Sequence, residues 1–189
     1  HGLAHDLVRE KPARVGLEEG FQIIDEQEAN RIRADAVQAW LQVNSGLLEE
    51  YLQPELDENK RNWIRRKQLP ELAEDLALAF IRSAKDHRLT PELFQSMVSD
   101  YPARLPLLSM GMAIYNDYQR ALRYRGAVDF DDLIRLSLDL LSSDPEYLER
   151  LRYRFPFILE DEAQDSSELQ EKILALLSGP HGNWVRVGD

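Results

Sequence analysis

The run Phe155-Pro156-Phe157-Ile158-Leu159 is apolar from end to end and stops abruptly at Glu160-Asp161-Glu162. It is too short for a helix and does not alternate, which predicts a strand buried on both faces, as in a parallel sheet. Pro156 is tolerated because it falls near the strand's start. A helix capped by Ser166 or Ser167 follows and is stopped at Gly179-Pro180, after which Trp184-Val185-Arg186-Val187 reads as a second strand. Strand, helix and strand within about thirty residues make a βαβ unit.

The sequence ahead of this unit has helical period. Asp25-Glu26-Gln27-Glu28 has the form of a capping box, and Ala29, Ile32, Ala36, Val37, Trp40 and Leu41 follow on one helical face. Leu69, Leu72, Ala73, Leu76, Ala79 and Phe80 repeat the pattern. Thr90-Pro91-Glu92 is a further helix start. A longer helix over residues 107–122 carries Leu107, Gly111, Ile114, Tyr115, Tyr118 and Leu122 on one side, and Gly126 is placed to end the segment. Asp129 caps a helix reaching about Leu141, and Asp144-Pro145 starts another.

The chemistry is concentrated after the apolar run, in Asp161-Glu162-Ala163-Gln164-Asp165. Open α/β sheets place ligands at the carboxyl ends of their strands, where these acids fall. An aspartate leaving such a strand can hold Mg²⁺ against nucleotide phosphates. The next carboxylate, Glu162, points elsewhere and can orient and deprotonate an attacking water. The competing reading is that acids after a strand merely cap the next helix, which Asp165-Ser166-Ser167 could do unaided.

Asp161-Glu162-Ala163-Gln164-Asp165 resembles the DExQD form of the Walker B motif in UvrD/Rep/PcrA-type superfamily 1 DNA helicases, a group that includes RecB-like subunits. Val128-Asp129-Phe130-Asp131-Asp132-Leu133-Ile134 resembles the DFDDL segment ahead of that strand, and Val187-Gly188-Asp189 the start of the VGDxxQ motif. His1-Gly2-Leu3-Ala4 is similar to the end of the Thr-x-His-Ser/Gly segment, without its threonine. The resemblance implies that Asp161 binds Mg²⁺ and that Glu162 is the catalytic base. Gln164, Asp165, Gly188 and Asp189 would belong to the nucleotide site and its links to neighbouring motifs. His1 and Gly2 would lie near the single-stranded DNA track.

By the same resemblance the fold is mainly α, a helical insertion subdomain plus a partial RecA-like α/β piece with two short parallel strands. Residues 1–19 would be a remnant of the motor domain, 20–115 the helical insertion and 116–189 the part bearing the Walker B strand. The intact parent would use Mg²⁺ and ATP to move on single-stranded DNA and unwind duplex, 3′ to 5′. Its partners would be single-stranded and duplex DNA and the rest of the helicase chain.

The departures from the family pattern set the expectations for the chain alone. No G-x-x-x-x-G-K-S/T occurs in it, so the phosphate-binding loop is missing and the chain by itself should not hydrolyse ATP. Its ends read as those of a fragment, whose open strand edges favour association with another copy. Ala163 stands where an aromatic is common, and Glu160 adds a charge with no evident role.

Net charge runs against DNA binding: 34 acidic against 23 basic residues give −11. What matters is the charge on one face, and the dense basic run is Lys60-Arg61-Asn62-Trp63-Ile64-Arg65-Arg66-Lys67. Arg61, Arg65, Arg66 and Lys67 suit DNA phosphates and Trp63 a stacked base. The plainer alternative is a solvated helix with Trp63 and Ile64 turned to the core. The absence of cysteine suits a reducing cytoplasm, the location expected, and the apolar stretches are too short for a membrane span. His1, His5, His87 and His181 have no metal-ligand spacing. Asp129, Asp131 and Asp132 are accounted for by a helix N-terminus, with Phe130 and Leu133 as core anchors, and Tyr115, Tyr118 and Tyr124 as core residues. Two other classes stay open. One is a non-catalytic helical module binding protein or DNA. The other is a metal-dependent nuclease using Asp161, Glu162 and the Asp129 cluster.

Overall fold

The computed structural model describes residues 2–44, 46, 52, 55–98, 105–180 and 182–189. The fold is mainly α, with two short parallel two-stranded sheets, as the sequence led us to expect. The chain divides into two compact units, Gln22–Asp129 and His1–Phe21 with Phe130–Asp189.

In the first unit, strand β1 (Gln22–Ile23) pairs in parallel with β2 (Ala127–Val128), so the chain enters and leaves side by side. Gln22 N–H donates to the carbonyl of Gly126 and Ile24 N–H to that of Val128. Two-residue strands carry too few side chains to show a period, so β1 and β2 leave no signal in the sequence. Helix α2 (Glu26–Asn44) is capped by Asp25, which accepts from Glu28 N–H at 2.8 Å, and buries Ala29, Ile32, Ala36 and Val37 as its periodicity predicted. Helix α5 (Pro91–Val98) starts at Thr90, whose hydroxyl accepts from Leu93 N–H.

Helix α3 (Glu58–Trp63) runs into a wider, π-helical turn (Ile64–Gln68) and then into α4 (Leu69–Asp86). Pro70 explains the widening: it has no N–H for the carbonyl of Arg66 and its ring would crowd that carbonyl. The buried face of α4 is Ala73, Ala77, Ile81 and Ala84, whereas Leu72 and Leu76, expected on it, are exposed. In α6 (Pro106–Tyr124), Met110, Ile114, Tyr115, Tyr118 and Leu122 are buried, but Leu107, on the same face near the helix start, is exposed. Tyr124, expected in the core, is 91% exposed. Helix α6 packs on α2, α4 and α5. Gly111 permits the close approach to α4, since a Cβ there would lie 2.7 Å from the Phe80 ring.

The second unit is built around α7 (Phe130–Ser143), which packs against α1 (Gly2–Glu10), α8 (Pro145–Arg154) and α9 (Glu168–Ser178). Its core joins Leu7 and Val8 of α1, Leu133, Leu140 and Leu141 of α7, Tyr147 and Leu151 of α8, and Leu169, Ile173 and Leu177 of α9. Burying each large aliphatic side chain contributes about 1.5–3 kcal/mol. Phe130, expected as an anchor, is instead exposed and Leu133 alone is buried. Two buried hydroxyls fasten α1: Ser137 donates to the carbonyl of Ala4 at 3.1 Å, and Tyr147 to Glu10 at 3.0 Å. Asp144 caps α8, accepting from Tyr147 N–H at 3.0 Å, and takes Lys11 at 2.6 Å.

Strand β3 (Phe157–Glu160) leaves α8 and pairs in parallel with β4 (Asn183–Arg186), with α9 between them in sequence. The predicted βαβ unit is therefore present. One expectation is corrected: β3 is not buried on both faces. Phe157 is 71% and Leu159 81% exposed, with Val185 and Val187 also open to solvent, while Ile158 and Glu160 turn inward. The apolar run reported correctly that this is a strand, but the face bearing Phe157 and Leu159 is uncovered.

Candidate functional site

The carboxylate segment begins at the C-terminal end of β3. Glu160 is the strand's last residue and is buried, whereas Asp161 and Glu162 emerge into solvent. The chain turns sharply because Glu162 adopts a left-handed backbone, φ 56°, one of two non-glycine residues with positive φ among those described. A left-handed non-glycine residue costs about 1–2 kcal/mol, so its neighbours must hold it there. Asp165 N–H donates to the Glu162 carbonyl at 2.9 Å, Ala163 N–H to the Val187 carbonyl at 3.0 Å, and Val187 N–H to the Glu160 carbonyl at 2.8 Å. Strain over-determined by its surroundings in this way is a mark of functional turns.

The side chains are ordered as well. Asp161 Oδ1 accepts from Glu162 N–H at 3.0 Å. Gln164 donates its amide Nε2 to Glu162 Oε2 at 2.5 Å, which fixes the glutamate carboxylate relative to the turn. A short 3-10 turn, Ala163–Asp165, leads to Ser167, which caps α9 in a complete capping box with Gln170. Ser167 therefore takes the capping task, and the capping explanation does not account for Asp161 or Glu162. Gly188 lies against this turn: a Cβ there would fall 2.4 Å from Gln164 Oε1 and 3.1 Å from Ala163 N. Asp189, exposed, follows it. The structure thus brings Asp161, Glu162, Gln164 and Gly188 together at the carboxyl ends of two parallel strands, with Asp165 in the same turn.

Mg²⁺ in nucleotide sites takes one or two carboxylates and fills its other positions with water and phosphate. Asp161, exposed beside a second exposed carboxylate, fits that donor set. Among the described residues no three His, Asp or Glu side chains gather as a protein-only cation cage would require.

Glu160, without an evident role in the sequence, has one in the structure. Its Oε1 accepts from Ser166 Oγ at 2.6 Å, and its Oε2 accepts from Trp184 Nε1 at 3.1 Å and Arg186 Nε at 2.7 Å. The register that pairs Glu160 with Arg186 was the missing signal, since it cannot be read before strand pairing is known.

The other candidate residues lie apart from this turn in the chain. His1 lies outside the described residues, and Gly2 is exposed at the start of α1. Arg61 is half-buried in α3, while Arg65, Arg66 and Lys67 are exposed on the π-helical turn. Trp63 is 53% exposed, so it is not the core residue of the plainer alternative. Asp129 is buried, and its Oδ2 accepts from Lys85 Nζ at 2.5 Å and Tyr118 Oη at 2.6 Å. That carboxylate braces the helical unit. The sequence clue was Lys85 itself, four residues after Ile81 on the apolar face of α4.

Two parallel strands that deliver paired carboxylates and a glycine-aspartate to one end define an open α/β ligand site, preceded in this chain by a helical unit. The chain belongs to the UvrD/REP helicase N-terminal domain family, whose model matches residues 1–189. Over all of its length it is 31% identical to DNA helicase II of Escherichia coli. It is 28% identical to the ATP-dependent DNA helicase PcrA of Staphylococcus epidermidis and 26% to that of Staphylococcus aureus. In each case it spans 22% of the relative's length.

Proposed function

We propose that this chain is the carboxylate-bearing part of the first motor domain of an ATP-dependent DNA helicase. The longer protein would couple ATP hydrolysis to translocation on single-stranded DNA and to duplex unwinding, in the 3′ to 5′ sense. The observation that carries this reading is the strained turn at the end of β3, where Glu162 is exposed and held by Gln164 beside exposed Asp161.

Asp161 would hold Mg²⁺, which when bound offsets the charge of the ATP phosphates. Glu162 orients the attacking water and accepts its proton. Gln164 keeps the Glu162 carboxylate in one direction through the hydrogen bond its amide donates at 2.5 Å, and Gly188 leaves room for that amide. Asp165 and Asp189 complete the acidic rim and link it to neighbouring motifs. The exposed basic turn, with Arg65, Arg66, Lys67 and nearby Trp63 and Arg61, would contact DNA, phosphates by charge and a base by stacking. His1 and Gly2 would lie on the single-stranded track. Mg²⁺, ATP and the remaining helicase chain are the partners this requires, and the cytoplasm is the compartment we assign.

Steady-state ATP hydrolysis, with and without single-stranded DNA, tests the reading in the longer protein and in the 189-residue chain. DNA-stimulated hydrolysis by the longer protein and none by the chain alone is the expected pattern. Hydrolysis by the chain alone, or a longer protein indifferent to DNA, would overturn it.

A further inference from the structure

The carboxylate next to the reactive pair is the least exposed acid of the turn. The Glu160 side chain is 5% exposed, yet both its oxygens are engaged and by partners from different elements. Ser166 closes the turn on itself: its hydroxyl bonds Glu160 across the intervening residues 161–165, the segment that carries Asp161, strained Glu162 and Gln164. Trp184 and Arg186 anchor the same carboxylate to β4. Arg186 extends the anchorage, with Nη2 donating to Glu171 of α9 and to the carbonyl of Ala163 at 3.4 Å. Its guanidinium also lies over the Trp184 ring, 5.0 Å from the centroid. The hydrogen bond to Glu171, with the charge of Glu160 nearby, holds the guanidinium above its ordinary pKa.

A buried carboxylate is tolerated only when its oxygens are satisfied and its charge is matched. Here Ser166, Trp184 and Arg186 satisfy both conditions, and their combined effect is to fix both ends of the Asp161–Asp165 segment to the sheet. Hydrogen bonds within the turn alone, such as Gln164 to Glu162, set the carboxylate relative to its own loop but not relative to the strands. We propose that Glu160, clamped by Ser166 and Arg186, is a positioning residue that sets where the Glu162 carboxylate stands for hydrolysis. This rests on the proposed ATPase reading and adds to it a residue outside the pair that touches substrate. The role belongs to geometry at the moment of reaction, so its loss lowers turnover and leaves ATP binding alone.

The test is made in the longer protein with Glu160→Gln, Ser166→Ala and, as control, Glu162→Gln, each checked for folding by circular dichroism and thermal melting. Ser166→Ala removes only the loop-closing bond and keeps the buried ion pair, so it stays informative if Glu160→Gln fails to fold. The expected result is a kcat for ATP hydrolysis lowered about tenfold in both variants, with KM for ATP and the DNA dissociation constant unchanged, as for a misplaced catalytic group. Wild-type kcat in folded Ser166→Ala would overturn the inference, and so would a loss confined to KM. An unaffected Glu162→Gln would instead sink the ATPase reading itself, so the two failures are told apart.

Discussion

At the level of single residues the site turns on how Glu162 is held. Its backbone is left-handed and its carboxylate accepts from Gln164, whose amide in turn occupies the space beside Gly188. Gln164→Ala removes that bond, and Gly188→Ala pushes the same amide aside because the new methyl group would overlap Gln164 Oε1. Both should lower kcat for ATP hydrolysis in the longer protein by about tenfold, with Gly188→Ala relieved when combined with Gln164→Ala. Additive losses would show that Gly188 acts by another route. The acids were legible in the sequence because their order after an apolar run is informative in itself. Glu160 was not, since its partners Trp184 and Arg186 are 24 and 26 residues away and meet it only through the strand register. Asp129 stands at the start of α7 as expected, but its pairing with Lys85, 44 residues distant, could not be read from the sequence for a similar reason.

Among elements, α2, α5, α8 and α9 start at their capping residues and β3 follows its apolar run. Thr90, Asp25, Asp144 and Ser167 each accept from the N–H three residues on, a local signal that needs no tertiary context. Buried faces were read less well: Leu72 and Leu76 have the right spacing on α4 but are exposed, and Ala77, Ile81 and Ala84 join Ala73 in the core instead. The hydrogen bond from Lys11, then that from Tyr147 N–H, holds the Asp144 carboxyl below its ordinary value of 3.8. A lowered carboxylate stabilises the fold fully above that ordinary value and loses its contribution as pH falls through the folded one. Asp144→Asn should therefore lower the melting temperature of the chain at pH 7, with the gap to wild type narrowing as pH falls below 3.8 and through the lowered folded value. A gap that persists at low pH would assign the loss to packing. In the helical unit, Lys85→Met leaves Asp129 buried without its cation, and urea unfolding should report a loss of about 3–5 kcal/mol.

For the whole molecule, the −11 net charge and the basic turn after α3 point in opposite directions. Local charge decides how phosphates are met, so Arg65→Glu with Arg66→Glu should weaken DNA binding by the longer protein. The salt dependence should flatten too, the slope falling by roughly 0.7–0.9 for each phosphate no longer neutralised. Unchanged affinity and slope would return this turn to the status of a solvated surface. The β1–β2 pair of the helical unit was not legible in the sequence, because two residues per strand carry no pattern. In the proposed mechanism the proton transfer of ATP hydrolysis falls to Glu162. Measured in the longer protein, Glu162→Gln should retain ATP and single-stranded DNA binding while single-turnover hydrolysis falls by about 10²–10⁴-fold. Hydrolysis at the wild-type rate, with both ligands bound, would contradict the account.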